Sequence, residues 1–176
     1  RTLYFEDNIG NFQVGDTYNL WYDVQGPVNS GGMYGSAFEF DGQNDYIDLT
    51  NDSIFNSNDE MTIEVWIKPY SSQENCNGDP RRNSGIAAKA DRFVTPSSDI
   101  WSWQLRYGSP NNCYLGFQFH GVPDESVWVT VGQNLVSNHW YHVVGTYNGT
   151  HVVSYLNGLK IDENTTSSIV DSTAHL

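Results

Sequence analysis

Trp66 sits among side chains that could meet a sugar. Glu64, Trp66 and Lys68 fall on one side of an alternating run. Trp101 to Tyr107 alternates as well, with Ser102, Gln104 and Arg106 opposite Trp101, Trp103, Leu105 and Tyr107. From Cys113 to His120, Tyr114, Gln118 and His120 lie opposite Leu115, Phe117 and Phe119. An indole stacks on a sugar ring, while amide, guanidinium, imidazole and carboxylate groups exchange hydrogen bonds with hydroxyls. Glu64, Trp66, Gln104, Arg106, Gln118 and His120 therefore form the candidate ligand-binding set, on the expectation that they share one solvent-facing sheet. The aromatic-rich opposite faces are the expected core. For Trp66 a structural role is the stronger of the two readings.

A second cluster is Asp41, Asn44 and Asp45, three oxygen donors within five residues beside a strand. Hard oxygen ligands in a loop are what Ca²⁺ takes, with backbone carbonyls completing the shell. The same residues also suit Asx-type turns. Nucleophilic chemistry finds little support. No Gly-x-Ser-x-Gly elbow occurs, and His120, His139, His142, His151 and His175 lack a His-x-x-x-His spacing.

The elements that must position these residues read as strands. Phe38–Phe40, Asp45–Leu49, Met61–Lys68, Gly85–Lys89, Trp101–Tyr107, Cys113–Phe119 and Ser126–Val131 are short apolar or alternating runs separated by turn text. Trp140–Tyr147, Thr150–Leu156 and Leu159–Asp162 follow, joined by Asn148-Gly149 and Asn157-Gly158. Asn-Gly between apolar runs signals a type I′ hairpin, whose central residues both need positive φ. Two such turns predict an antiparallel meander. No stretch keeps a helical apolar period, residues 1 to 35 read as mostly irregular, and the spacing of strands indicates an all-β sandwich or jelly roll.

The chain has 176 residues, which suits one domain, 1–176. Eight basic and 21 acidic side chains give a net charge of −13. That charge repels phosphate backbones and points away from nucleic acid. No apolar run is long enough for a membrane span. Cys76 and Cys113 are the only cysteines, both in Asn-rich text, and predict one disulfide in an oxidising compartment. They precede Gly85–Lys89 and Tyr114–Phe119, expected to lie side by side. The sequons at Asn51, Asn148 and Asn164 fit a glycosylated, exported protein.

Three blocks carry a family resemblance. They are Gly35 to Ile47, Met61 to Pro69, and Asn138 to Tyr147 continuing through Asn148-Gly149 to Tyr155-Leu156-Asn157-Gly158. In order and spacing they resemble the concanavalin A-like, laminin-G-like jelly rolls, with Trp66 at a place where the family keeps Trp. The resemblance implies two packed antiparallel sheets. Relatives often bind calcium on a sandwich edge. Sandwich glucanases of this superfamily carry Glu-x-Asp-x-Glu on one strand. Here Glu60, Thr62 and Glu64 occupy those positions, and the middle acid is missing. The expectation is a non-catalytic extracellular recognition or adhesion module, with glycan or a cell-surface protein as partner and Ca²⁺ as the candidate cofactor. A structural subunit of a cell-surface or filament assembly is the alternative, and a glycan-active hydrolase or lyase the third reading.

Such domains usually carry further strands after the position of His175-Leu176, the last pairing beside the N-terminal strand. The chain is therefore expected to be a fragment of a longer one, begun before Arg1 and continued after Leu176. Otherwise a strand from another copy would fill the gap beside residues 3 to 6.

Overall fold

A computed structural model describes residues 23–25, 28–40, 45–49, 60–70, 85–90, 101–109, 112–121, 125–133 and 135–166. Among these the fold is all-β, with twelve strands and no helix. The strands are β1 (Asp23–Gln25), β2 (Val28–Gly31), β3 (Ser36–Glu39), β4 (Tyr46–Asp48), β5 (Met61–Ile67) and β6 (Gly85–Ala90). Next come β7 (Trp101–Ser109), β8 (Asn112–Gly121), β9 (Glu125–Gln133), β10 (Tyr141–Tyr147), β11 (His151–Leu156) and β12 (Leu159–Thr165).

Two four-stranded antiparallel sheets dominate. One has the order β12-β11-β10-β5, the other β6-β7-β8-β9. The short pairs β1–β4 and β2–β3 accompany them. Alternation explains why the sheets stack. Along β5, Met61, Ile63, Val65 and Ile67 are half-buried, while Thr62, Glu64 and Trp66 are exposed. Val143 and Tyr147 of β10 and Val152 of β11 belong to one core with Leu105, Leu115, Phe117, Phe119 and Val129 of the other sheet. The sheets meet closely where Gly145 faces Phe117, since a Cβ on Gly145 would lie 2.7 Å from the ring.

The meander forms with one adjustment. Asn157 and Gly158 both have positive φ (51° and 80°), as the type I′ turn requires. The earlier turn does not repeat this. There Gly149 alone has positive φ (88°), and Gly149-Thr150 forms the centre. The reason is the Asn148 side chain. Its Oδ1 accepts hydrogen bonds from Thr150 N (3.2 Å), Thr150 Oγ1 (3.2 Å) and His151 N (2.8 Å), so Asn148 ends its strand instead of turning.

The outer edge of β9 is tied to the opposite sheet at Thr130. Thr130 N donates to Asp162 Oδ2 (2.9 Å), and Thr130 O accepts from Ser154 Oγ (2.5 Å). A bulge in the β11–β12 ladder makes this possible. Tyr155 pairs with Lys160, Ser154 pairs with Asp162, and Ile161 is skipped.

Two expectations need correction. β6 and β8 are not neighbours, because β7 lies between them. β1 and β2 fall in text read as irregular. The expected gap beside residues 3 to 6, and the continuation past Leu176, lie outside the described residues. So does Cys76; Cys113 is on β8.

Candidate functional site

The six candidate ligand-binding residues divide between two surfaces. Glu64 and Trp66 are on β5, whereas Gln104 and Arg106 are on β7 and Gln118 and His120 on β8. These strands belong to opposite sheets of the sandwich, so their outward faces point away from each other. The expectation of one shared face is thereby corrected. Alternation assigned each residue to the outward side of its own strand, but it carries no information on which sheet a strand joins.

The outer face of the β6–β9 sheet holds four of the six. Gln104, Gln118 and Trp128 form one cross-strand row. Gln104 Nε2 donates to Gln118 Oε1 at 2.9 Å, which fixes both amides. The next row is Arg106, Gly116 and Thr130. Gly116 lacks a side chain, and the Trp128 indole lies over it. A Cβ there would fall 2.4 Å from Trp128 Cζ2. The Arg106 guanidinium stands 5.5 Å from the centre of the same ring. All of these side chains, with Tyr114 and His120, are half-buried. Burial alone pushes the Arg106 guanidinium down from its ordinary value. It still carries its charge across the physiological range. Trp128 was not among the sequence candidates, although it lies on the alternate side from Val127 and Val129 in a run already read as a strand.

The outer face of the other sheet carries a separate aromatic group. His142 of β10 pairs with Trp66 of β5, and their rings lie 4.9 Å apart at 30°. Tyr34, from the turn between β2 and β3, meets Trp66 edge-on with centroids 5.7 Å apart. His142 Nε2 and Glu64 Oε1 are 2.5 Å apart, and the carboxylate accepts. Asn157 braces this arrangement. Its N–H donates to His142 O (2.8 Å), and its Oδ1 accepts from His142 N (2.9 Å). Lys68 Nζ lies 5.3 Å from the centre of the Trp140 ring. Trp66 thus has rings against it on two sides, which fits the structural role weighed from sequence. Tyr34 and His142 had no local signal, since only the tertiary pairing brings them to Trp66.

Of the calcium candidates, Asp45 precedes β4 and is half-buried. Asp41 and Asn44 lie outside the described residues. Among the described residues no group of three His, Cys, Asp or Glu side chains is placed to hold a metal. Asn148 and Asn164 are exposed, and Asn51 lies outside the described residues. No helix among the described residues is long and apolar enough to cross a membrane.

Comparison with known proteins fits this geometry. Residues 41–175 match the laminin-G family model of the concanavalin A-like lectin/glucanases superfamily, and the chain belongs to that superfamily. Among solved structures, it is similar to domain 4 of AbnA, a GH43 extracellular arabinanase from Geobacillus stearothermophilus, in complex with arabinotriose. That likeness has 18% identity and a TM-score of 0.54, and covers 86% of this chain. The chain spans 65% of the length of that one. A search of curated proteins finds no match.

Proposed function

We propose that the chain is a non-catalytic carbohydrate-recognition module whose binding surface is the outer face of the β6–β9 sheet. The observation that carries this is the cluster of Trp128, Arg106, Gln104 and Gln118. It sets an indole, a cation and a fixed amide pair side by side on one sheet. Sugar recognition needs an apolar ring face with hydrogen-bonding groups held at its rim. Superfamily membership supports the reading, and so does the similar domain found with arabinotriose.

Absence of catalysis is part of the proposal. Glycoside hydrolysis works with two carboxyl groups flanking the bond. Thr62 stands where glucanases of this kind carry the middle acid, and Glu64 is bonded to His142. The proposal extends to an extracellular setting, a Cys76–Cys113 disulfide, glycans at Asn51, Asn148 and Asn164, and calcium held by Asp41, Asn44 and Asp45.

The test is a glycan array followed by calorimetry, with arabino-oligosaccharides included. Binding is expected, with at least tenfold loss in Trp128→Ala and in Gln104→Ala at retained thermal stability. Binding untouched by either change would remove the site from this face. No binding to any glycan would end the carbohydrate reading. Polysaccharide cleavage lost in Glu64→Gln would overturn the non-catalytic part.

A further inference from the structure

We infer that Arg106 makes the β6–β9 face selective for glycans carrying an isolated acidic group, a uronate carboxylate or a sulfate ester. This rests on the reading of that face as a sugar-binding surface and adds the ligand class.

Arg106 lies in a strongly acidic chain. The chain has 21 acidic and eight basic residues, so a carboxylate is easily found for any arginine. Yet no carboxylate pairs with Arg106 among the described residues. Its Nε is buried without a hydrogen-bond partner. A guanidinium drawn partly out of water ordinarily gains an anion or a full set of acceptors in return. Here the guanidinium meets the Trp128 ring instead. That ring faces the cation but accepts little at its N–H groups, so the hydrogen-bonding fork remains available. Burial acts against the charge with no offsetting partner among the described residues, in line with the direction of the Arg106 shift.

The neighbours suit a sugar bearing that anion. Arg106 is beside Gly116 in the ladder, where the backbone is bare of a side chain and Trp128 lies across it. Gln104, two residues away on β7, presents its bonded amide on the same face. A planar guanidinium binds carboxylate or sulfate oxygens in paired fashion, which a neutral hydroxyl cannot match. The net charge of −13 sets the density of negative charge that the site tolerates. A dense polyanion is repelled strongly at long range, while one acidic group flanked by neutral sugars is repelled far less. The aromatic group around Trp66 is a poorer candidate for the same ligand, because Glu64 already places a carboxylate there.

The experiment is an array of matched oligosaccharide pairs with wild type, Arg106→Gln and Arg106→Lys. One set bears single glucuronate groups with carboxyl-reduced twins. A second bears single sulfates with desulfated twins, and a third holds polygalacturonate fragments. Wild type is expected to prefer the singly acidic member of a pair at least tenfold, and to bind the dense polyanion more weakly. The carboxylate and sulfate arms identify the anion. Arg106→Gln should erase the preference, and Arg106→Lys should keep part of it. Equal binding of acidic and neutral twins would overturn this inference and leave the carbohydrate reading standing. A preference that survives Arg106→Gln would overturn it too. No glycan bound at all would overturn both. Should Arg106→Gln fail to fold, the twin comparison on wild type and Arg106→Lys decides.

Discussion

Replacing Gly116 by alanine tests the seat under Trp128. Two effects oppose each other. Gly116 has an ordinary backbone conformation, so alanine would relieve chain entropy by about 0.4–1 kcal/mol. Against this, the new Cβ would lie 2.4 Å from Trp128 Cζ2, 2.6 Å from Cε2 and 2.8 Å from Val129 O. Ordinary contact begins near 3.4 Å, so the indole must move by roughly 1 Å. Overpacking of this kind costs about 1–3 kcal/mol. The net expectation is a loss of about 1–2 kcal/mol, or about 2–8 °C in Tm for a chain of this size. Urea unfolding at unchanged m measures it. Trp128→Ala removes the two ring contacts but not the carbonyl contact. In that background the Gly116→Ala cost should fall by about 1 kcal/mol, the signature of direct coupling. Glycan affinity should fall in Gly116→Ala as the ring shifts. A Gly116→Ala protein as stable as wild type, or one whose cost is the same with and without Trp128, would refute the reasoning.

Other outcomes are expected elsewhere. Asn157→Ala should cost about 1–2 kcal/mol in urea unfolding, through the left-handed conformation and the lost bond to His142 N, while Asn157→Gly should recover part of it. Equal stability of the two variants would count against the turn argument. The exposed Lys160–Glu163 pair should give a small stability increment with two limits. Its hydrogen bond to Lys160 depresses Glu163 from 4.5, so its share is present above that value and fades as pH falls through the lowered one. The same bond raises Lys160 above 10.5, so its share is present below 10.5 and fades as pH rises through the raised value. Glu163→Gln should therefore differ from wild type only between those limits in a series of urea midpoints. Calcium at saturating concentration should raise Tm and EDTA reverse it, by about 2.7 kcal/mol of stabilisation at a hundredfold excess over Kd. An unmoved Tm would remove Asp41, Asn44 and Asp45 as ligands. Mass spectrometry should find Cys76 and Cys113 joined, and two free thiols would reject the bridge.

Much of the fold was legible because its signals are local. Met61–Ile67 alternates without a break, and the Asn157-Gly158 turn needs only its own two residues. The Asn148 turn was misplaced by one residue because a side chain, not a propensity, decides where the strand ends. β1 and β2 span only three and four residues beside glycines and a proline, too short for periodicity to register. The site was legible by face but not by sheet. Glu64 and Gln104 both point outward, yet β5 reaches its partner β10 across some 75 residues of sequence, Ile67 against Tyr141. Nothing near Glu64 encodes that pairing. Trp128 shows the reverse case: its position was readable, but its significance depended on Gly116 and Arg106 from two other strands.

The skipped residue in β12 has a consequence for how the chain ages and assembles. Ile161, half in water at 45% exposure, would gain from sliding one position, which would bring it opposite Ser154 and send Asp162 to the solvent side. Hydrophobicity favours that slide, and the Asp162 bond to Thr130 N opposes it. The Asp162 carboxylate therefore favours the observed register over the slid one. In the slid state the β9 margin would lose the bond at Thr130 N and keep only the one from Ser154 Oγ to Thr130 O, leaving more of that edge open to a second molecule. Asp162→Ala is therefore expected to show as aggregation on storage before any loss of fold.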